Sequence, residues 1–352
     1  MKTLALPLAC LTLSLSCNAA SEEIVLGEVQ VTDYSSEGSA AQGYRLDTAQ
    51  VGPLGRKALQ DTPLDIQGVS AELIRNIQAS NSSEAVKYLP TVYTNTGASQ
   101  ITPYFTLRGL SASTWTYNMA VDGMRSFDIW QPLEDKAGIE VLSGAASFLY
   151  GVTSAAGMIN YSSKRPTRTP LAELTLGTYA EQFYGHLDLG GPVAGRTDLR
   201  YRLNLGLADA GEVGVDGQRQ ERYSLSGALD WQLSRDTLVT LDLSRARRQI
   251  DQPQVLFVPN TASGIPDAPD ASRNWGPKDG DTLDLTSRVS LGLESRLNDT
   301  FTLRTKLRYT DDERRYLMGR PPDIPARSLD PGFAPGLQAI LEQPAMRHLG
   351  RA

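Results

Sequence analysis

Five aromatic side chains crowd three short loop-like stretches of this sequence. Tyr104 closes 94–104, Trp115 and Tyr117 lie in 111–117, and Phe127 and Trp130 lie in 126–132. Ring faces and hydroxyls at exposed loops suit noncovalent grip on a bulky ligand, by stacking with a hydrogen bond at the rim. They do not break bonds, and groups that would are not in evidence. The sequence has no nucleophile elbow, no paired-histidine metal motif and no phosphate-binding glycine loop. Its two histidines, His186 and His348, have no second histidine, cysteine or carboxylate cluster beside them. No catalytic residue, no metal ligand and no cofactor are therefore expected.

The elements that must position these residues differ between the two halves of the chain. From about residue 171 the sequence alternates with period two, as strands with one wet and one dry face do. In 199–205 the odd residues Leu199, Tyr201, Leu203 and Leu205 are apolar, whereas Arg200, Arg202 and Asn204 are polar. The same rule holds at 223–233, 239–243, 283–293 and 301–309, and more weakly at 172–178 and 183–189. These segments predict seven strands, many about nine to eleven residues long, the length with which a tilted strand crosses a bilayer. A soluble sandwich would also alternate. Leucine dominates the apolar face here, aromatics gather near strand ends, and short turns alternate with long loops, which favours a transmembrane barrel. Arg200, Arg202, Asp230, Asp242, Arg288, Arg304, Lys306, Arg308 and His186 would then face a polar lumen.

Residues 46–166 have another texture. A helical stretch at 71–77 and a shorter one at 85–89, opened by Asn81-Ser82-Ser83-Glu84 and ended by Pro90, precede strands at 105–108, 118–121, 139–142 and 158–162. That is a mixed α+β domain. Ahead of it, Met1-Lys2, an apolar run from Leu4 to Leu15 and the small residues Ala19-Ala20 read as an export signal over 1–20. Cys10 and Cys17 both fall inside that signal, so the exported chain is expected to hold no disulfide. Lys and Arg total 34 against 40 Asp and Glu, which leaves no cationic excess for nucleic acid. No apolar run reaches the roughly 18 residues of a spanning helix.

Specific motifs then point to a family. They are Gln60-Asp61-Thr62-Pro63-Leu64, Glu84-Ala85-Val86-Lys87-Tyr88-Leu89-Pro90, Phe105-Thr106-Leu107-Arg108-Gly109-Leu110 and Val121-Asp122-Gly123-Met124. Further on come Ile139-Glu140-Val141-Leu142-Ser143-Gly144 and Gly157-Met158-Ile159-Asn160-Tyr161-Ser162. In this order and spacing they resemble the plug domain of TonB-dependent outer-membrane siderophore receptors. The resemblance implies an α+β plug domain followed by the first strands of an antiparallel transmembrane β-barrel, in an exported protein of the Gram-negative outer membrane. It divides the chain into a signal peptide at 1–20, a TonB box and linker at 21–45, the plug at 46–166 and a partial barrel at 167–352.

The resemblance also implies roles. Glu23, Ile24, Val25, Leu26, Gly27, Glu28 and Val29 match the segment that adds as a strand to the energy coupler TonB. The short 21–45 stretch leaves no room for a periplasmic signalling domain, so transport without transcriptional signalling is expected. Arg108 with Gly109 matches the plug motif whose charge is expected to pair with the barrel wall. Tyr104, Trp115, Tyr117, Phe127 and Trp130 would touch a ferric siderophore, whose iron is already fully coordinated by the chelate. Other cargoes of the same class, such as heme, cobalamin or a glycan, remain open. A plugged barrel of 22 strands needs roughly 440 residues or more, whereas the strands here are followed by a Pro-rich stretch from Gly319. The expectation is therefore an incomplete receptor, either a fragment or a truncated product that transports nothing.

Overall fold

The computed structural model describes residues 37–317, except 51, 53–54, 95–103, 114–117, 127–129, 145, 180, 213, 255–269, 271 and 275. The expected export signal at 1–20, residues 23–29 and the Pro-rich stretch from 319 lie outside the described residues.

The globular domain begins with a hairpin, β1 (Thr48–Gln50) and β2 (Arg56–Ala58). Then come β3 (Asp65–Ser70), α1 (Ala71–Asn76), α2 (Ser82–Val86), and a small antiparallel sheet of β4 (Val92–Thr94), β5 (Tyr104–Leu107) and β6 (Leu110–Ser113). The domain closes with β7 (Met119–Val121), β8 (Met124–Arg125), β9 (Lys136–Ser143), α3 (Ser147–Tyr150) and β10 (Gly157–Ser163). Its central sheet runs β3-β9-β10-β7-β8, parallel between β10 and β7 and antiparallel elsewhere. Alternation along β9 decides the layers. Ile139 and Val141 join Ile74, Val86, Phe105 and Leu107 in one core, and Leu142 joins Met158, Leu149 and Tyr150 in a second. Between the second core's apolar residues that face carries Glu140 and Asn160, both buried.

Local chemistry sets the helix starts. The Ser70 hydroxyl accepts the Leu73 amide at 3.1 Å, and the Asn81 side chain accepts the Glu84 amide at 3.0 Å. Glu84 reaches back to the Ser80 amide at 2.6 Å. With Asn81 as the cap, α2 starts earlier than the expected 85–89 segment and ends before Pro90.

Seven strands follow in one antiparallel meander: β11 (Leu171–Tyr179), β12 (Gln182–Pro192), β13 (Leu199–Glu212), β14 (Arg219–Ser234), β15 (Thr237–Asp251), β16 (Asp281–Arg296) and β17 (Thr302–Leu317). Each pairs with its sequence neighbour, and among the described residues the sheet does not close on itself. Leu225, Leu229 and Trp231 are exposed on one face, as are Leu203, Leu207, Leu291 and Leu307. Asp188, Asp230, Arg248, Asp284 and Arg288 are buried on the other.

The last strands exceed expectation. β14, β16 and β17 are 16 residues long and β15 is 15, so most of the expected loop at 208–221 is ladder. Their outer ends are polar on both faces, for example Arg245, Arg247, Arg248 and Gln249, so no alternation marks them. Cross-strand pairing such as Arg222 with Arg248 carries them on.

Candidate functional site

The polar face of the seven-stranded sheet lies against the globular domain, and a band of charge pairs fills the seam. Lys164 and Arg165, just after β10, present two cations to the sheet. Lys164 Nζ lies 2.9 Å from Asp188 on β12, and Arg202 on β13 holds the same carboxylate at 2.7 Å. Arg165 reaches further and donates to both Asp230 on β14 and Asp242 on β15. Its two terminal nitrogens thus tie one residue of the domain to two neighbouring strands.

The opposite polarity appears elsewhere on the seam. Asp122 sits in the turn between β7 and β8, where φ is +48° and the next residue, Gly123, has φ of +78°. Two positive φ values in a two-residue hairpin loop make a type I′ turn, which suits Asp-Gly. The turn carries the carboxylate to β17, where Lys306 lies at 3.5 Å and Arg308 at 3.4 Å. Arg308 also donates to the Val121 carbonyl at 2.8 Å, and the Ser163 amide donates to Asp122 at 2.7 Å. Burial disfavours the Asp122 charge, but Lys306, Arg308 and the Ser163 amide outweigh it and hold the carboxyl well below the usual range.

Higher up, residues 130–134 meet arginines from three successive strands. Glu134 accepts from Arg222 on β14, and the Arg248 guanidinium of β15 lies 5.3 Å from the Trp130 ring centre. On β16, Arg288 donates to the Gln131 side chain at 3.2 Å. Burial opposes the charge of Glu134, yet Arg222 keeps its carboxyl below the usual range. Between the lower and upper contacts lies a cavity of about 30 Å³ lined by Asp122, Lys164, Arg202, Asp242, Arg288 and Arg308. That volume and polarity suit a water or two.

Residues 58–158 match the family model for the TonB-dependent receptor plug domain. The ferrichrome outer-membrane transporter and phage receptor of Escherichia coli K12 is 27% identical over 269 residues, covering 72% of this chain and 35% of that protein. The ferrioxamine B receptor of Salmonella typhimurium is 27% identical over 266 residues, covering 71% of this chain and 37% of that one. Among solved structures, the ferric preacinetobactin receptor BauA of Acinetobacter baumannii superposes with a TM-score of 0.71 at 26% identity, over 77% of this chain and 41% of BauA.

Residues 58–158 thus carry the plug domain of TonB-dependent receptors, and the chain resembles the plug and first wall strands of such receptors.

The chain spans about two fifths or less of the length of these relatives. The globular domain corresponds to the plug of these receptors and the meander to the first strands of their barrel wall. The relatives are receptors and transporters rather than enzymes. Within the described wall, Asp230, Asp242, Arg288, Lys306 and Arg308 turn to the plug, as the alternation implied, and Arg202 reaches it through the shared Asp188. His186 is buried with Asn204 at 3.1 Å. Arg304 pairs with Glu294 of the neighbouring strand at 2.9 Å, and its guanidinium lies beside Gly55 of the globular domain.

Two expected site residues are placed differently. Arg108 and Gly109 form the turn between β5 and β6, with φ of +51° and +86°. Arg108 stays half-exposed, and among the described residues its ion-pair partner is Asp65 of the plug at 3.5 Å. The left-handed turn points its side chain back along the plug. Trp130, expected on a ligand-facing loop, is 4% exposed and packs under Arg248. Tyr104 opens β5 at the surface. Trp115, Tyr117 and Phe127 lie outside the described residues, as do Glu23, Ile24, Val25, Leu26, Gly27, Glu28 and Val29.

The seam residues Asp122, Glu134, Lys164 and Arg165 were missed as a set. The motifs Val121-Asp122-Gly123-Met124 and Ser162-Ser163-Lys164-Arg165-Pro166 were visible, and the charges inside them were the available signal.

Proposed function

We propose that this receptor takes up ferric siderophores across the outer membrane, driven through TonB. The observation that carries the reading is the set of names borne by its relatives: ferrichrome, ferrioxamine B and ferric preacinetobactin receptors, each aligned across plug and wall together. The seam supports it physically. A domain held to its wall by side-chain ion pairs around a water-sized polar cavity can exchange those partners for water as it shifts, whereas an apolar seam would expose greasy surface.

In this reading Tyr104, Trp115, Tyr117 and Phe127 contact the chelate from the outer side, while Trp130 anchors the loop beneath them. Glu23, Ile24, Val25, Leu26, Gly27, Glu28 and Val29 add as a strand to TonB, backbone hydrogen bonds supplying the affinity. No resident cofactor is needed, because the iron arrives already chelated.

The test is uptake of radio-iron as ferrichrome and as ferrioxamine B by iron-starved cells that rely on this receptor. Deleting residues 23–29 is expected to abolish energy-dependent uptake while chelate still binds the cell surface. Uptake that survives the deletion, or a wild-type protein missing from the outer-membrane fraction, overturns the reading.

A further inference from the structure

Glu140 sits in the middle of β9 and is 3% exposed, yet its partners come from three separate stretches of chain. Its Oε2 accepts from the Asn160 side chain at 2.8 Å, within the central sheet. Its Oε1 leaves the sheet altogether. It accepts the backbone amide of Gln50 on β1 at 3.0 Å and faces Arg56 Nη1 on β2 at 3.7 Å. The β1–β2 hairpin is a separate two-stranded sheet with no ladder to the central one, so this carboxylate bridges two bodies that the backbone does not join.

The surroundings make the bridge a fitted joint. Leu46, just ahead of the hairpin, lies over Gly68 of β3, where an added Cβ would come within 2.4 Å of its Cδ1. Gly55, just ahead of β2, lies near the wall: a Cβ there would lie 3.2 Å from Nε of Arg304 on β17. Arg56 is further fixed by donating from Nε to the Thr48 hydroxyl at 2.8 Å. The hairpin is thus a wedge between plug sheet and wall, and Glu140 is the buried charged group that holds it.

We propose that Glu140 is the catch of the N-terminal hairpin, a positioning residue that keeps β1 and β2 seated until a load on the preceding segment pulls them away. The proposal rests on the reading of residues 23–29 as the coupling segment, since that segment precedes the hairpin and transmits tension to it before the central sheet. Departure of the hairpin removes the Gln50 amide and the Arg56 charge together. What remains is a buried carboxylate without its counter-ion, a costly state. The joint therefore opens as a unit rather than fraying.

The test is hydrogen exchange on the full receptor in detergent, for wild type, Glu140→Gln and Arg56→Gln. The second variant removes the hairpin's half of the pair from a partly exposed position, so it leaves the plug core untouched even where Glu140→Gln perturbs it. Amides of 48–58 are expected to exchange about tenfold faster in both variants, with β9 and β10 keeping their wild-type rates. In cells with limiting TonB, initial uptake of ferrichrome or ferrioxamine B per bound chelate is expected to rise about twofold at unchanged chelate Kd, a split that simple loss of structure does not produce. Unchanged exchange at 48–58 in both variants overturns the proposal, as does an equal rise through β9 and β10. If the hairpin loosens as expected but wild type takes up no chelate, the siderophore reading fails and the catch stands as a property of the plug.

Discussion

The plug and the wall sort their side chains in opposite senses. In the plug, Val69, Phe105, Leu107, Met119, Ile139 and Tyr161 are buried to 1% or less, as in any protein folded in water. In the wall, Leu203, Leu225, Leu229 and Leu291 face outward while Asp188, Asp230, Arg248 and Asp284 are inside. The difference follows from the medium outside each surface. Water excludes the plug's apolar groups, and hydrocarbon excludes the wall's charges, which must then find partners within the molecule. The plug supplies those partners. It is a water-type globule whose charged surface is matched to an inverted sheet.

The comparison breaks most sharply at single leucines. Leu107→Ala empties a fully buried site in the plug and is expected to cost about 2–5 kcal/mol in denaturant unfolding, in detergent and in vesicles alike. Leu229→Arg, on the outward face of β14, is expected to cost about 2–4 kcal/mol for folding into lipid vesicles and far less in detergent, where the headgroup reaches water. Equal penalties in the two media for Leu229→Arg would show that this face does not meet lipid.

A smaller effect sharpens the contrast at the seam. Arg165→Gln removes the cation that the largely buried Asp230 and Asp242 share, the arginine side chain itself being about one third exposed. The expected loss is about 2 kcal/mol, read as a lowered plug unfolding midpoint. Adding Asp230→Asn and Asp242→Asn is expected to recover most of it. A triple variant no better than Arg165→Gln would assign the loss to packing of the arginine stem instead.

The smallest expected effect is a pH profile. Asp122 has its carboxyl lowered in the folded plug by Lys306, Arg308 and Ser163 despite burial. Its stabilisation is therefore fully present above the unfolded value of about 4 and fades as pH falls below it. Glu140 has its carboxyl raised by burial, so its contribution has the opposite sign and declines as pH climbs above that region. Asp122→Asn is expected to flatten the acid side of the stability profile, measured by thermal melts from pH 6 to pH 3. An unchanged acid limb would remove Asp122 from the set of groups that tie plug to wall.

The legible parts of this protein were those written in local periodicity. Alternation at 199–205 and 223–233 located β13 and β14 and assigned their faces, because a strand's faces follow directly from residue parity. Asn81 announced a helix start, since its side chain acts on a backbone amide three residues on. The polar outer ends of β15 to β17 were not legible, as their pairing rests on neighbouring strands. The burial of Trp130 was not legible for a related reason: the composition of 126–132 suits exposure, and Arg248, which packs on the ring, comes more than a hundred residues later.

What the sequence alone determined is therefore the kind of surface each half presents: an α+β domain with an ordinary core, and strands with leucine on one side and charge on the other. The tertiary structure decided which charges meet. Arg165 lies 65 residues from Asp230 and 77 from Asp242, and Asp122 lies 186 from Arg308, so no local pattern joins them. Parity along a strand is a property of the chain and survives without a partner. An ion pair across a seam exists only once two separately folded surfaces are set against each other, because a desolvated charge is tolerable only where its counter-charge has already been placed.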